Sequence, residues 1–184
     1  MWCGASLLFL ACNLSAASQV KEEFGNLIFY IPTGLTTSKT ENNMTLADAT
    51  LDNGQYFTIT VNKSILSLKK MEKNFPVFWR ESLINDGIDN PAAVPEFVKA
   101  QTASGWNCFR GGKMVGYTQT SVFYYHLTVM RFMGITVKVT TKASNEELFF
   151  QKYPLLLQLV SSVNFKPPPT KNHQVDSTNQ KNPG

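Results

Sequence analysis

Hydrophobic and polar positions along the chain fall into short alternating runs, the strongest of them at residues 121–141, SVFYYHLTVMRFMGITVKVTT. Its first half sets Phe123, Tyr125, Leu127 and Val129 on one side and Val122, Tyr124, Met130 and Phe132 on the other. Both sides are apolar or aromatic, as expected of a strand covered on two faces. After Met133-Gly134, Ile135, Val137 and Val139 alternate with Thr136, Lys138 and Thr140, which predicts a strand with one deeply buried face. Two such strands predict a central antiparallel sheet with helices packed on its faces, an α+β fold.

The rest of the chain supplies partners for that pair. Leu27, Phe29 and Ile31 predict a first strand over 24–31, broken by Pro32-Thr33-Gly34. A polar segment runs to Asn43, and a short strand is expected at 44–47. Asn53-Gly54 favours a tight hairpin connection into a strand over 56–62, where Phe57, Ile59 and Val61 alternate with threonines. Ser67 suits the cap of a helix in which Leu68, Met71, Phe75, Phe78, Trp79 and Leu83 keep a helical period. Pro76 either kinks that helix or sits in the first turn of a second one capped by Asn74. Residues 86–95 form a loop, and 97–102 a short strand. Residues 105–110 predict a strand, Gly111-Gly112 a turn, and 114–120 the return strand. Ser144 and Glu147 make a capping box that opens a helix to about Val160. Its buried face is Leu148, Phe149, Leu155, Leu156, Leu159 and Val160, with a bend at Pro154. Residues 161–165 are extended.

Hydrophobic residues make up 43% of the 184 and charged residues 16%, enough apolar material for one domain with a real core. The formal charge of +4 is mild, and half of it lies in the tail from Lys166 onward. No dense basic stripe is present, which argues against nucleic-acid binding. Residues 1–17 carry no charged side chain and end in Ser15-Ala16-Ala17, which predicts a secretory signal peptide cleaved after Ala17. Cys12 offers the alternative of a lipid anchor. The run is too short for a transmembrane helix, so the mature chain is expected to have no transmembrane segment and to be secreted, periplasmic or attached to the cell envelope. It would keep one thiol, Cys108. The polar, aperiodic residues 166–184 are expected to be a disordered tail, leaving 18–165 as the folded domain.

Candidate chemistry is sparse. Cys108 and His126 could pair as nucleophile and base, although a single Cys and a single His on strands are more often packing residues. His126 and His173 are the only histidines, too few for zinc, and no cofactor or metal is expected. The acidic pairs Glu22-Glu23 and Glu146-Glu147 lie at element ends, and Gly111-Gly112-Lys113 lacks the phosphate-loop pattern. Trp106, Arg110, Tyr117 and Tyr125 are the candidates for a partner-binding patch, because aromatics with Arg make hot spots when exposed and ordinary cores when not. Trp106 and Arg110 share one face of their strand. Asn43-Met44-Thr45 and Asn62-Lys63-Ser64 are sequons that make Asn43 and Asn62 glycosylation candidates.

The order of elements, with Phe29, Ile31-Pro32-Thr33-Gly34, Gly105-Trp106, the capped helix from Ser144 and the closing Ser161 to Phe165, resembles the PsbP-like fold. That is the α/β/α sandwich of the photosystem II extrinsic protein P, of the yeast Ran-binding Mog protein and of small exported bacterial proteins. Leu35 departs from the Trp such exported proteins often carry after the Gly. The resemblance implies a non-catalytic binding or assembly module with no cofactor, and carries over no partner-binding residue. The expectation is an exported monomer whose partner is another protein or an envelope component. The alternatives are a carrier of small apolar ligands, with a pocket between the sheet and the helix at 68–83, and a weak hydrolase using Cys108.

Overall fold

The computed structural model describes residues 20–64, 71–88, 93–116, 121–133 and 135–166. The leader 1–17, Ser67, Leu68, Tyr117 and the tail beyond Lys166 lie outside them. The described elements are β1 (Val20–Phe24), β2 (Leu27–Ile31), β3 (Leu35–Lys39), β4 (Asn43–Asp48), β5 (Phe57–Ser64), α1 (Met71–Asn85), β6 (Val98–Gln101), β7 (Asn107–Gly116), β8 (Val122–Phe132), β9 (Ile135–Ala143), α2 (Glu146–Ser162) and β10 (Asn164–Phe165). Seven strands form one sheet in the order β3-β4-β5-β9-β8-β7-β6, and β1-β2-β10 form a small second sheet. Each neighbouring pair is antiparallel.

β8 and β9 are the predicted central pair. Phe132 faces Ile135 across a two-residue connection in which Met133 takes a positive φ of 48° and projects into solvent. The two apolar faces of β8 go to two different cores. Phe123, Tyr125, Leu127 and Val129 meet Phe75, Phe78, Trp79 and Leu83 of α1. Tyr124 and Met130 belong to the other core, with Leu148, Phe149, Leu156, Leu159 and Val160 of α2 and with Phe24, Leu27, Phe29 and Ile31 of the small sheet. The result is three layers: α1, the large sheet, then α2 beside the small sheet. Burying one large aliphatic or aromatic side chain stabilises by about 1.5–3 kcal/mol, so the doubly covered β8 anchors both sides. Outside the cores, Lys152 of α2 reaches Asp48 at the end of β4 (2.7 Å), and Lys142 of β9 reaches Asp86 just past α1 (2.9 Å).

Several local expectations change. Residues 24–31 are not one strand: Gly25, with φ at 59°, turns the chain between β1 and β2. The polar residues 35–39 form β3, which sits at the sheet edge where one side needs no apolar cover. Asn53-Gly54 does make a tight turn, with positive φ at both residues and Gln55 N donating to Asp52 O (2.9 Å), but it lies within the longer connection 49–56. Pro76 lies inside a single helix, so no second helix starts at Asn74. The second face of β9 is more buried than alternation suggests, Thr136 and Thr140 both being covered. Helix α2 runs on to Ser162, where an extended segment was expected.

Two corrections affect the site. Gly111-Gly112 is not a turn. β7 runs straight through it, paired residue for residue with β8 from Asn107 opposite Arg131 to Gly116 opposite Val122. The glycines are there for close approach. A Cβ on Gly111 would lie 2.5 Å from the Glu96 carbonyl oxygen, and one on Gly112 2.9 Å from that of Tyr125. Ser144 is not the cap of α2. Asn145 is, its Oδ1 accepting from Leu148 N at 2.8 Å, so the capping box with Glu147 does not form.

Candidate functional site

Helix α2 packs over β2, β5, β8 and β9, while the sheet continues past it to β7 and the edge strand β6. The step between helix and edge is a groove. Arg110 is at its floor, on β7, directly between Val98 of β6 and Thr128 of β8. A cavity of about 320 Å³ opens here, with Gly112, His126, Phe149, Phe150 and Tyr153 among its walls. A smaller one of about 100 Å³ adjoins it over Cys108 and shares Arg110 and Tyr153.

Ring packing shapes this groove. Tyr124 stacks on Phe149 (centroids 4.4 Å), His126 stacks on the same ring (5.1 Å), and Tyr153 meets His126 edge-on (6.0 Å). Gly112 makes room for this arrangement, because a Cβ there would come within 3.0 Å of both the His126 and Tyr124 rings. Val98 and Phe150, each 57% exposed, form an apolar rim on opposite sides.

Two buried polar atoms in the walls are unsatisfied. Arg110 Nε is buried without a hydrogen-bond partner, and among the described residues no carboxylate pairs with this guanidinium. Its Cζ lies 5.9 Å from the Tyr153 ring centre. His126 is buried and its Nδ1 also lacks a partner. Burial, with a smaller effect of the Arg110 charge, holds this imidazole down to about 3, so it is neutral at physiological pH. Buried polar groups in folded proteins are nearly always paired, which makes two orphans in one cavity a marked departure.

Of the four predicted patch residues, the groove contains Arg110. Trp106 is fully buried, packed against Phe165 (5.1 Å) and Phe132 (5.8 Å). Tyr125 is fully buried on the opposite face of the sheet, edge-on to Trp79 at 5.4 Å. Neither offers a surface to a partner, and Tyr117 lies outside the described residues. Asn43 and Asn62 face each other across β4 and β5 and line a polar cavity of about 380 Å³ with Ser82, Asp86 and Lys138, Asn43 exposed and Asn62 half-buried.

Cys108 and His126 are not brought together. Cys108 is opposite Met130 and His126 opposite Gly112, four residues apart along the strands, or about 13 Å. The thiol donates to Trp106 O (3.6 Å), and burial raises its pKa, the reverse of what a nucleophile needs. Between α1 and the sheet, Phe75, Phe78, Trp79 and Leu83 fill the apolar part of the described interface, and the cavity of about 380 Å³ at the end of α1 is lined by polar residues, so neither offers the apolar pocket a carrier needs. Among the described residues no group of three or more His, Cys, Asp or Glu gathers as a metal site, and no helix is long and apolar enough to cross a membrane.

Sequence reasoning missed Gly112, Phe150 and Tyr153. One signal was available: Leu148-Phe149-Phe150 puts one more apolar residue in a row than a single helical stripe can bury.

No family model matches the sequence, and no curated protein matches it. The fold does have solved neighbours. The Ran-binding protein Mog1p of Saccharomyces cerevisiae is similar with a TM-score of 0.52 at 10% identity, over 80% of this chain and 96% of that one. A mutant of the protein Mog1 is similar with a TM-score of 0.54 at 11% identity, over 80% and 95%. At these identities the likeness is one of fold, and the α+β architecture expected from the sequence is the one they share.

Proposed function

We propose that this chain is an exported, PsbP-like, non-catalytic binding module that engages another protein or an envelope component through the groove between α2 and β6. The observation that carries the reading is Arg110, a cation with no ion-pair partner among the described residues, at the floor of an open cavity with an apolar rim. A guanidinium with no ion-pair partner among the described residues, beside exposed Phe150 and Val98, is what an interface offers before its partner arrives. The fold neighbour Mog1p is itself described as Ran-binding, so the architecture supports a recognition surface. Export rests on residues 1–17 alone.

The test is site-specific photocrosslinking in cells of the protein's own host. A photoreactive amino acid at Phe150 should give a discrete protein adduct that disappears when Arg110→Met is added. The same group at Val77, comparably exposed on α1, should give none. Adducts at both positions, or at neither, would sink the proposal. Intact mass of the same purified chain reads whether residues 1–17 are removed.

A further inference from the structure

Among the described residues the groove has one cation on its floor, Arg110. By strand alternation Lys99 and Lys113 fall on the other face of the sheet, and His126 is neutral. Arg110 is half-buried and lines the open cavity with a planar fork of donors, and no carboxylate among the described residues occupies that fork, which suits bidentate pairing with a carboxylate. The walls above it are aromatic. β6 pairs only with β7 among the described residues, and an outer backbone edge of that kind is where another strand can add. A strand laid there would run beside Val98, the residue directly across from Arg110.

We infer that the groove receives an extended protein segment along the β6 edge and seats one carboxylate side chain of that segment on Arg110. This rests on the reading of the groove as a binding surface and adds the chemistry of its occupant. Glu96 is the negative group in the same cavity, and no ion pair joins it to Arg110. Its charge opposes an incoming carboxylate.

The experiment is an NMR titration of the purified full chain, following the Arg110 Nε–H and His126 ring signals. Phenylacetate is the cavity probe and phenylacetamide its neutral match. A blocked pentapeptide with one central glutamate between valines is the segment probe, against its glutamine counterpart. Phenylacetate should saturate these signals at least about tenfold more tightly than phenylacetamide, because one charge-assisted bidentate pair distinguishes them. The glutamate peptide should bind about tenfold more tightly than phenylacetate, and the glutamine peptide should lose that gain. Arg110→Met should abolish the discrimination while keeping the urea midpoint. Glu96→Gln should tighten both carboxylates about twofold or more by removing a like charge. Equal binding of acid and amide would overturn the carboxylate, as would tighter binding of benzylamine. A peptide no tighter than phenylacetate would overturn the segment. A crosslinked partner with no carboxylate preference would leave the binding surface standing and refute only this inference.

Discussion

His126 is a buried imidazole with no partner at Nδ1 and a guanidinium nearby, and its protonation is coupled to folding. In the unfolded chain it titrates near its ordinary value of about 6.5, and in the fold at about 3. Between those values the unfolded state binds the extra proton. Its contribution is therefore full above about pH 6.5 and is lost as pH falls toward 3, by up to about 1.4 kcal/mol per pH unit. Urea midpoints at pH 7.5, 6.0 and 5.0 should fall for the wild type and fall less for His126→Phe. Parallel curves for the two proteins would contradict this account. Alternation along residues 121–141 placed the apolar side chains of β8 correctly on its two faces. That reading also covered Tyr125, which is interior, whereas the burial of Trp106 depends on Phe132 and Phe165, which are remote in sequence.

Helix α2 forms one wall of the groove, and its start decides where Phe149, Phe150 and Tyr153 fall. The two adjacent polar residues before it compete for the cap. Asn145 holds it, and the Ser144 hydroxyl is buried without a partner. Asn145→Ala should lower stability by about 1 kcal/mol in urea unfolding, and Ser144→Ala should leave it unchanged or raise it. The reverse order would mean that the capping box at Ser144 forms in solution. A Ser-x-x-Glu spacing is legible in sequence. Which of two neighbours adopts the cap depends on where the chain leaves β9, and that is not local. The same holds for β7. A Gly-Gly pair reads as a turn until a ten-residue pairing with β8 outweighs it, and until the backbone of Glu96 and the rings of Tyr124 and His126 take the space that side chains would fill.

Across the molecule, Trp79 and Trp106 report on different cores, one under α1 and one under α2. Strands β7 and β8 donate alternate residues to both, so neither core can be lost without the other. In a chain lacking residues 1–17, Trp79→Phe and Trp106→Phe each leave one tryptophan. Fluorescence and far-ultraviolet circular dichroism should give coincident urea transitions within each variant. A fluorescence midpoint displaced from the circular dichroism midpoint would show that the two layers unfold separately.

The sequence by itself determined most strands, the central β8–β9 pair, the two helices and the α+β class. Periods of two and 3.6 residues are written locally and need no knowledge of neighbours. It also placed Arg110 and Trp106 on one side of the chain, although β7 begins one residue after Trp106. Only the tertiary structure decided that Trp106 is core and Arg110 is groove floor, that Cys108 and His126 stand apart, and that the small sheet lies beside α2. Those outcomes turn on strand order and on what packs across the sheet, which are contacts between residues far apart in the chain.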